Sequence, residues 1–228
     1  MSIPPDLLTA DGCRLAQWAE ERRKMVDRQL RRRGIRDERV LGAMLEIPRE
    51  QFVPPETRVP CYGDCAIPIG HGQTISQPYM TALMAEVLEL TGVETVLEIG
   101  AGSGYAAAVL GALAAHVISV EIVPALAERA RENLRRAGRD GNVTVVCGDG
   151  SKGYPEMAPY DAISVAAGAP EIPAALLEQL RDPARLVIPV GGCGHQELRV
   201  LTNRGGKVSG RVATLCLFVP LRGADGWQ

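Results

Sequence analysis

Three stretches of the 228-residue chain hold residue types at spacings that could do chemistry. The first, residues 96–105, reads V-L-E-I-G-A-G-S-G-Y. An apolar run carries Glu98 near its end. Gly100, Ala101, Gly102, Ser103 and Gly104 then form a turn, and Tyr105 opens an apolar helical segment. Glycine tolerates positive φ and admits a ligand where a Cβ would clash, and the amides that open a helix are unpaired donors. The order strand, glycine-rich turn, helix is the context a nucleotide-type site needs. The Gly-x-Gly-x-Gly spacing leans away from a dinucleotide and toward S-adenosylmethionine. The second stretch is a pair of acidic positions that end the next two strands. Glu121 could accept bonds from both ribose hydroxyls, and Asp149, in Cys147-Gly148-Asp149-Gly150, from an exocyclic adenine amine. Alone, Glu121 reads as a solvated strand end and Asp149-Gly150 as a turn. Placed after successive strands they share one edge of a sheet, where open α/β folds bind ligands.

The third stretch, residues 70–78, reads G-H-G-Q-T-I-S-Q-P. It lies in a segment, 48–78, that is rich in Pro and Gly and long for a connection; such loops are commonly functional. Pro78 suits the first position of a helix, so Ser76 and the neighbouring amides stand beside a helix N-terminus, a favourable place for an anion.

These stretches need a frame. From residue 95 onward strand and helix alternate, with strands expected at 95–99, 117–120, 143–147, 162–166 and 186–190 and helices at 105–114, 125–137 and 173–180. Alternation of this kind predicts a mostly parallel sheet covered on both faces. Residues 198–202 and 208–219, joined through Asn203-Arg204-Gly205-Gly206, predict an antiparallel hairpin that closes one edge. Upstream, residues 1–13 read as a loose or docked arm and 15–33 as a surface helix stopped by Gly34. A second helix, capped by Asp37, presents Val40, Leu41, Met44 and Leu45 on one face before Pro48. The helix after Pro78 carries Tyr79, Leu83 and Val87 with Met80, Met84 and Leu88. The expected organisation is one compact α/β domain: residues 1–78 a helical lobe with the chemical loop, and 79–228 a Rossmann-like core of seven strands.

Composition narrows the function. Hydrophobic residues make up 46% and charged residues 23%, as in ordinary globular proteins, and a formal charge of −2 argues against a nucleic-acid carrier. The run Arg31-Arg32-Arg33 reads as a solvated helix end, where cations suit the dipole. No apolar run approaches a membrane span and no secretory leader is visible, so a cytoplasmic location is expected. The six cysteines are scattered apart from Cys61-x3-Cys65, and no second close Cys or His pair exists; free thiols are expected, and no metal.

Together the motifs resemble those of the protein-L-isoaspartate (D-aspartate) O-methyltransferase family. The matching segments are Met25-Val-Asp-Arg-Gln-Leu, Gly34-Ile-Arg-Asp-Glu-Arg-Val, Phe52-Val-Pro, Ile69-Gly-His-Gly-Gln-Thr-Ile-Ser-Gln-Pro and residues 96–105. They continue through Gly148-Asp-Gly, Ala169-Pro-Glu-Ile-Pro, Arg185-Leu-Val-Ile-Pro-Val-Gly and Phe218-Val-Pro-Leu. The resemblance spans nearly the whole chain from about Glu21, and G-Q-T-I-S is its most specific part. It implies S-adenosylmethionine as donor and the α-carboxylate of L-isoaspartyl or D-aspartyl residues in proteins and peptides as acceptor. Succinimide formation from the ester then returns part of the damaged protein to normal aspartate. It implies Ser76 as the catalytic-site residue, with Gln73, Thr74, Ile75 and Gln77 lining acceptor or donor. Cofactor contacts carry over to Ser103, Glu121, Ile122, Asp149 and Gly150, beside Glu98, Gly100, Ala101, Gly102 and Gly104. A monomer without nucleic-acid or membrane partners is expected.

The chemistry suits so short a catalytic roster. A carboxylate with a reference pKa near about 4 is already ionised at neutral pH and needs no general base to attack a sulfonium methyl. Orientation does the work, and well-placed reactants can gain roughly 7–11 kcal/mol. A neutral hydroxyl aims one carboxylate oxygen without blunting it, as Arg or Lys would. His71 then reads as loop packing or substrate lining, and His116 and His195 as structural or exposed. Three departures from the family pattern stand out: Arg181-Asp-Pro-Ala-Arg185 in place of a common K-P-G-G-R, Ser164 and Gly168 at positions often apolar or alanine, and Arg222 where a Thr often follows Val-Pro-Leu. They leave room for a homologue that methylates an ordinary aspartate in one dedicated peptide. The rivals of other classes are a non-catalytic cofactor-binding adaptor, disfavoured by the intact T-I-S, and an NAD-dependent oxidoreductase, disfavoured by the glycine spacing.

Overall fold

A computed structural model describes residues 10–192 and 194–227. Most of the arm at 1–13 and Cys193 fall outside the described residues. The first helix, α1 (Ala10–Met25), widens into a π turn over Val26–Leu30 and tightens into a 3₁₀ turn over Arg31–Arg33. Gly34, at φ 100°, ends it in the left-handed conformation that glycine adopts without strain. The expected helix at 15–33 therefore exists but changes pitch, and Met25, Val26 and Leu30 are all buried while Leu15 is exposed. Of the arginine run, Arg31 pairs with Glu38 at 2.6 Å and Arg33 with Asp64 at 2.7 Å.

Helix α2 (Glu38–Glu46) starts where Asp37 accepts bonds from the amides of Arg39 and Val40. Val40, Leu41 and Met44 are buried as expected, but Leu45 is 42% exposed; Ala43 and Ile47 take the inward positions instead. The segment expected as a loop contains an antiparallel hairpin, β1 (Ile67–Gly70) and β2 (Gln73–Ile75). Its turn needs three consecutive left-handed residues, Gly70, His71 and Gly72, at φ 91°, 55° and 70°. Pro78 then opens α3 (Pro78–Val87), whose Met80, Met84 and Val87 are buried, with Leu88 just beyond it.

The remaining elements run β3 (Thr95–Ile99), α4 (Tyr105–Gly111), β4 (His116–Glu121), α5 (Pro124–Arg136), β5 (Val143–Cys147), β6 (Tyr160–Val165), α6 (Ala174–Glu178), β7 (Leu180–Gly192), β8 (His195–Arg204) and β9 (Lys207–Cys216). The seven strands line up in the order β5-β4-β3-β6-β7-β8-β9. The first five are parallel, and β7–β8 and β8–β9 are antiparallel. From β3 the chain builds outward on one side, then returns to the other side at β6, so the carboxyl end of β3 is the topological switch point. Residues of the helical lobe, α3, α4 and α5 pack with one sheet face in one continuous apolar cluster; the other face packs around Tyr160 and Leu176.

Several expected boundaries move, two of them with consequences for the site. Strand β7 begins at Leu180 rather than 186, absorbing the Arg181–Arg185 departure, and α6 is correspondingly short. Asp182 accepts bonds from the amides of Gly205 and Gly206, both left-handed, in the two-residue turn between β8 and β9. That turn lies at the opposite end of the sheet from the switch point. Strand β9 ends at Cys216, so Leu217, Phe218 and Val219 are free to cross the sheet's carboxyl edge.

Candidate active site

Parallel pairing sets the donor side. Ile99 lies level with Val120, and Glu121 with Cys147, so the three strand ends form one ledge. Gly100 and Ala101 donate to the Val120 carbonyl at 2.8 and 3.4 Å, which folds the turn over the end of β4. Glu121, 5% exposed, accepts from the Gly102 amide at 2.8 Å on one oxygen and from the Val123 amide at 2.9 Å on the other. Each oxygen keeps a second lone pair, so the carboxylate is aimed without being saturated. Gly104, at φ 86°, opens α4, and a Cβ there would press on the Ala130 carbonyl at 3.1 Å. Asn133 holds the Ser103 carbonyl at 2.9 Å.

A cleft of about 520 Å³ opens above this ledge. Gly100, Gly102, Glu121, Ile122 and Gly150 line it as expected from sequence. Gly150 has to lack a side chain, because a Cβ would lie 2.5 Å from Ile99 Cγ2. Gln73 and Thr74 form the opposite wall. Ala101 and Ser103 are buried just beneath, in the wall of an adjoining hollow.

Of the expected cofactor set, Glu98, Gly104 and Asp149 line neither the cleft nor the adjoining hollow. Glu98 is fully buried behind the ledge, level with Ser119, whose hydroxyl donates to it, and its other oxygen has no partner. Burial pushes its carboxyl up to about 8; the Ser119 bond opposes this and the Glu121 charge adds to it. Asp149 accepts from the Ser151 amide at 3.0 Å, the Ser151 hydroxyl at 2.6 Å and the Ala224 amide at 2.8 Å. Burial would raise its carboxyl, but these bonds and Lys152 outweigh it and hold the group below the usual range. Asp149 is thus a clasp for the late segment of the chain, and its neighbour Gly150 faces the cleft.

Of the crossing segment, sequence reasoning placed only the Arg222 position near the cofactor; it left out Val219, Pro220 and Leu221, together with Ala166 and Ala167 after β6, all of which line the cleft. The signal was present in Phe218-Val-Pro-Leu. Gly168 donates to the Val219 carbonyl at 2.8 Å and accepts from Leu221 at 2.8 Å and from the Trp227 indole at 2.9 Å. A Cβ at Gly168 would meet Gln196 Cδ at 2.6 Å, and Gln196 pairs with both backbone groups of Phe218. The glycine departure therefore serves the crossing.

Two further spaces lie beyond Thr74. The adjoining narrow hollow shares Thr74, Gly100, Gly102 and Ala166 with the first cleft and adds Ile75, Ser76 and Tyr105. On the outer side a groove of about 760 Å³ runs past Arg33, Asp64, Thr74, Ser76, Gln77 and the end of β9. Thr74 borders all three spaces, and Ser76 borders the junction and the groove. Ser164 meets Ser76 across a smaller void under α3. Arg33 stacks over Tyr79, its guanidinium carbon 3.5 Å from the ring centroid, at the groove's rim. His71, His116 and His195 are exposed and line none of these spaces.

Strand order, the glycine-rich turn at the switch point and the acidic ledge define a Rossmann-like methyltransferase. The chain belongs to the protein-L-isoaspartate(D-aspartate) O-methyltransferase family, whose sequence profile matches residues 20–226. It is 53% identical over 221 residues to a protein-L-isoaspartate O-methyltransferase of Methanoculleus marisnigri, covering 97% of this chain and 98% of that one. It is 55% identical over 208 residues to protein-L-isoaspartate O-methyltransferase 2 of Marinobacter nauticus, covering 90% and 94%. Among solved structures it resembles a protein-L-isoaspartate O-methyltransferase with a TM-score of 0.79 at 33% identity, covering 90% of this chain and 67% of that one. A further match, the Plasmodium falciparum protein in complex with S-adenosyl-L-homocysteine, has a TM-score of 0.74 at 27% identity over 90% and 98% of the chains.

Proposed function

We propose that the chain transfers a methyl group from S-adenosylmethionine to the α-carboxylate of L-isoaspartyl, and of D-aspartyl, residues in damaged proteins and peptides. The observation that carries this reading is the meeting of the nucleoside-type cleft and the outer groove at Thr74 and Ser76. The cleft fits the donor by its own chemistry. Glu121 offers two oriented lone-pair oxygens for a ribose, Ile122 and the missing Gly150 side chain offer a flat apolar slot, and the Gly102 turn leaves backbone close by. When bound, the donor supplies an electrophilic methyl on a sulfonium.

The residues of this chain then orient and dehydrate. Ser76 donates its hydroxyl proton to one oxygen of the acceptor carboxylate and leaves the other free to attack. Ile75 and Tyr105 exclude water from the junction, which strengthens an ionised carboxylate as nucleophile. Thr74, Gln73 and Gln77 line the path between cleft and groove. Of the cofactor set, Glu98 and Asp149 are assigned supporting roles, Glu98 behind the ledge and Asp149 through the clasp. We further assign residues 1–78 to choosing the acceptor and 79–228 to holding the donor within one compact domain. The reading extends to a cytoplasmic monomer with no nucleic-acid or membrane partner, consistent with a formal charge of −2.

Labelled S-adenosylmethionine supplied with matched isoaspartyl and aspartyl peptides tests the reaction. Base-labile methyl ester on the isoaspartyl peptide alone is expected. Equal labelling of both peptides, or of neither, would overturn it. Sedimentation of the purified protein tests the monomer.

A further inference from the structure

Directly behind Ser76 sits an arginine that the transfer chemistry leaves unused. Arg49 is fully buried. Its Nε donates to the Cys61 carbonyl at 2.7 Å and its Nη2 to the Ser76 carbonyl at 2.7 Å. Its guanidinium carbon lies 4.8 Å from the centroid of the Tyr105 ring, which itself packs edge-on against Phe52. Nη1 is buried without a hydrogen-bond partner. Among the described residues no carboxylate pairs with it: the adjacent Glu50 is turned to Arg22, at 3.4 Å, and to the Tyr62 hydroxyl. A buried guanidinium without a counter-ion is strongly unfavourable, and an apolar residue of similar volume would serve stability better. A buried polar atom left without a partner calls for an explanation in the function of the site.

We propose that Arg49 is a positioning residue for methyl transfer. Its guanidinium fixes the Ser76 carbonyl and the Tyr105 ring, two walls of the donor–acceptor junction, and its uncompensated charge draws the acceptor carboxylate in. Arg49 lines neither the junction nor the groove, so the Ser76 peptide unit and the Tyr105 ring separate it from the acceptor. At one layer's remove the charge attracts and orients an anion without pairing with it, so the attacking lone pair stays free. Direct contact would lower the reactivity of the oxygen; a charge behind a neutral hydroxyl does not. Tying the Ser76 carbonyl also fixes the direction in which the Ser76 side chain leaves the backbone.

This role rests on the proposed reaction, and the test separates the two. Arg49→Met removes charge and fork while keeping reach; Arg49→Lys keeps the charge and loses the fork. S-adenosylhomocysteine affinity, thermal melting, and kcat and KM for an isoaspartyl peptide are measured for both and for the parent. Arg49→Met is expected to bind S-adenosylhomocysteine within about twofold of the parent while kcat/KM for the peptide falls roughly 30- to 100-fold. Arg49→Lys is expected to bring the peptide KM back near the parent's and leave kcat reduced. Unchanged kcat/KM in Arg49→Met overturns the role, as does a fall matched by an equal loss of S-adenosylhomocysteine affinity. If Arg49→Met does not fold, Arg49→Lys decides: parent-like KM with lowered kcat supports the role, and any other pattern overturns it. A parent inactive on the isoaspartyl peptide overturns the reaction and this role together; an active parent beside an unaffected variant overturns this role alone.

Discussion

The proposed donor and acceptor halves of the site are held by different forces. The ledge of the donor half is fixed mainly by backbone pairing, with Asn133 and the clasps of Asp149 and Gln196 added around it. Three parallel strands bring their ends level, glycines fold the turn, and Glu121 is clamped between two amides. The acceptor half is fixed by side chains reaching to carbonyls from far along the chain: Arg49 to Cys61 and Ser76, Arg129 to Ile69, Arg136 to Gln51, and Gln29 to Tyr62. Each half also hides an ionisable group with a buried atom left unpartnered. Beneath the donor ledge Glu98 can shed its charge by taking up a proton. Behind the acceptor wall Arg49 cannot, because burial lowers a guanidinium from so high a starting value that it stays charged. A charge tolerated where it cannot be neutralised is the stronger sign of use.

Four substitutions would break or sharpen that contrast. The largest expected effect is on stability, at Glu98. Its folded-state carboxyl titrates near 8 against 4.5 in the unfolded chain, so its contribution is fully present below about pH 4.5 and is lost as pH rises through about 8. Glu98→Gln removes that dependence, and melting curves should show a gain growing from pH 5 to pH 8, with an upper bound of about 5 kcal/mol. The same melting shift at both pH values would mean that Glu98 is charged in the fold. Next comes Ser76→Ala, expected to lower kcat about 10- to 100-fold, equivalent to roughly 1.4–2.7 kcal/mol, with S-adenosylhomocysteine affinity nearly unchanged. An unaltered rate removes Ser76 from its role.

On the donor side, Gly150→Ala drives a Cβ into Ile99 Cγ2, and overpacking of this kind costs about 1–2 kcal/mol. Calorimetry should register it as weaker S-adenosylhomocysteine binding, with peptide KM little moved. The smallest effect is expected at Arg129, whose bond to the Ile69 carbonyl, at 2.7 Å, steadies the hairpin. Arg129→Met should cost about 1 kcal/mol and raise the peptide KM a few-fold while donor affinity holds. Were it to weaken the donor instead, the division into two differently held halves would fail.

The same contrast explains what could be read from the sequence. Strands 95–99 and 143–147 coincide with β3 and β5 because each is a short run rich in β-branched residues and ended by turn residues, a local pattern. Asp37, Gly34 and Pro78 mark helix ends for equally local reasons. The hairpin of β1 and β2 was not legible: two strands of four and three residues around Gly-His-Gly carry too few side chains to alternate. Leu45 misled because its spacing fits the apolar face while its place at the helix end turns it outward. Arg49 gave no signal at all. An arginine in I-P-R-E looks like any exposed one, and only the packing of Tyr105, 56 residues on, reveals that it is enclosed. The Arg181–Arg185 departure looked like a threat to specificity, yet Asp182 and Arg181 are spent on the β8–β9 turn and on Asp161.

The late crossing segment has a consequence for biosynthesis. Residues 219–222 supply part of the cleft wall, and residues 224–227 fasten that wall to Asp149, Ser151 and Gly168. All other parts of the donor cleft lie earlier in the chain. A chain emerging during translation can pair its strands and fold its glycine-rich turn before residues 219–227 are made, and until then the cleft lacks that wall. The wall that residues 219–222 give the cleft thus waits until residues 224–227 have docked on Asp149, Ser151 and Gly168.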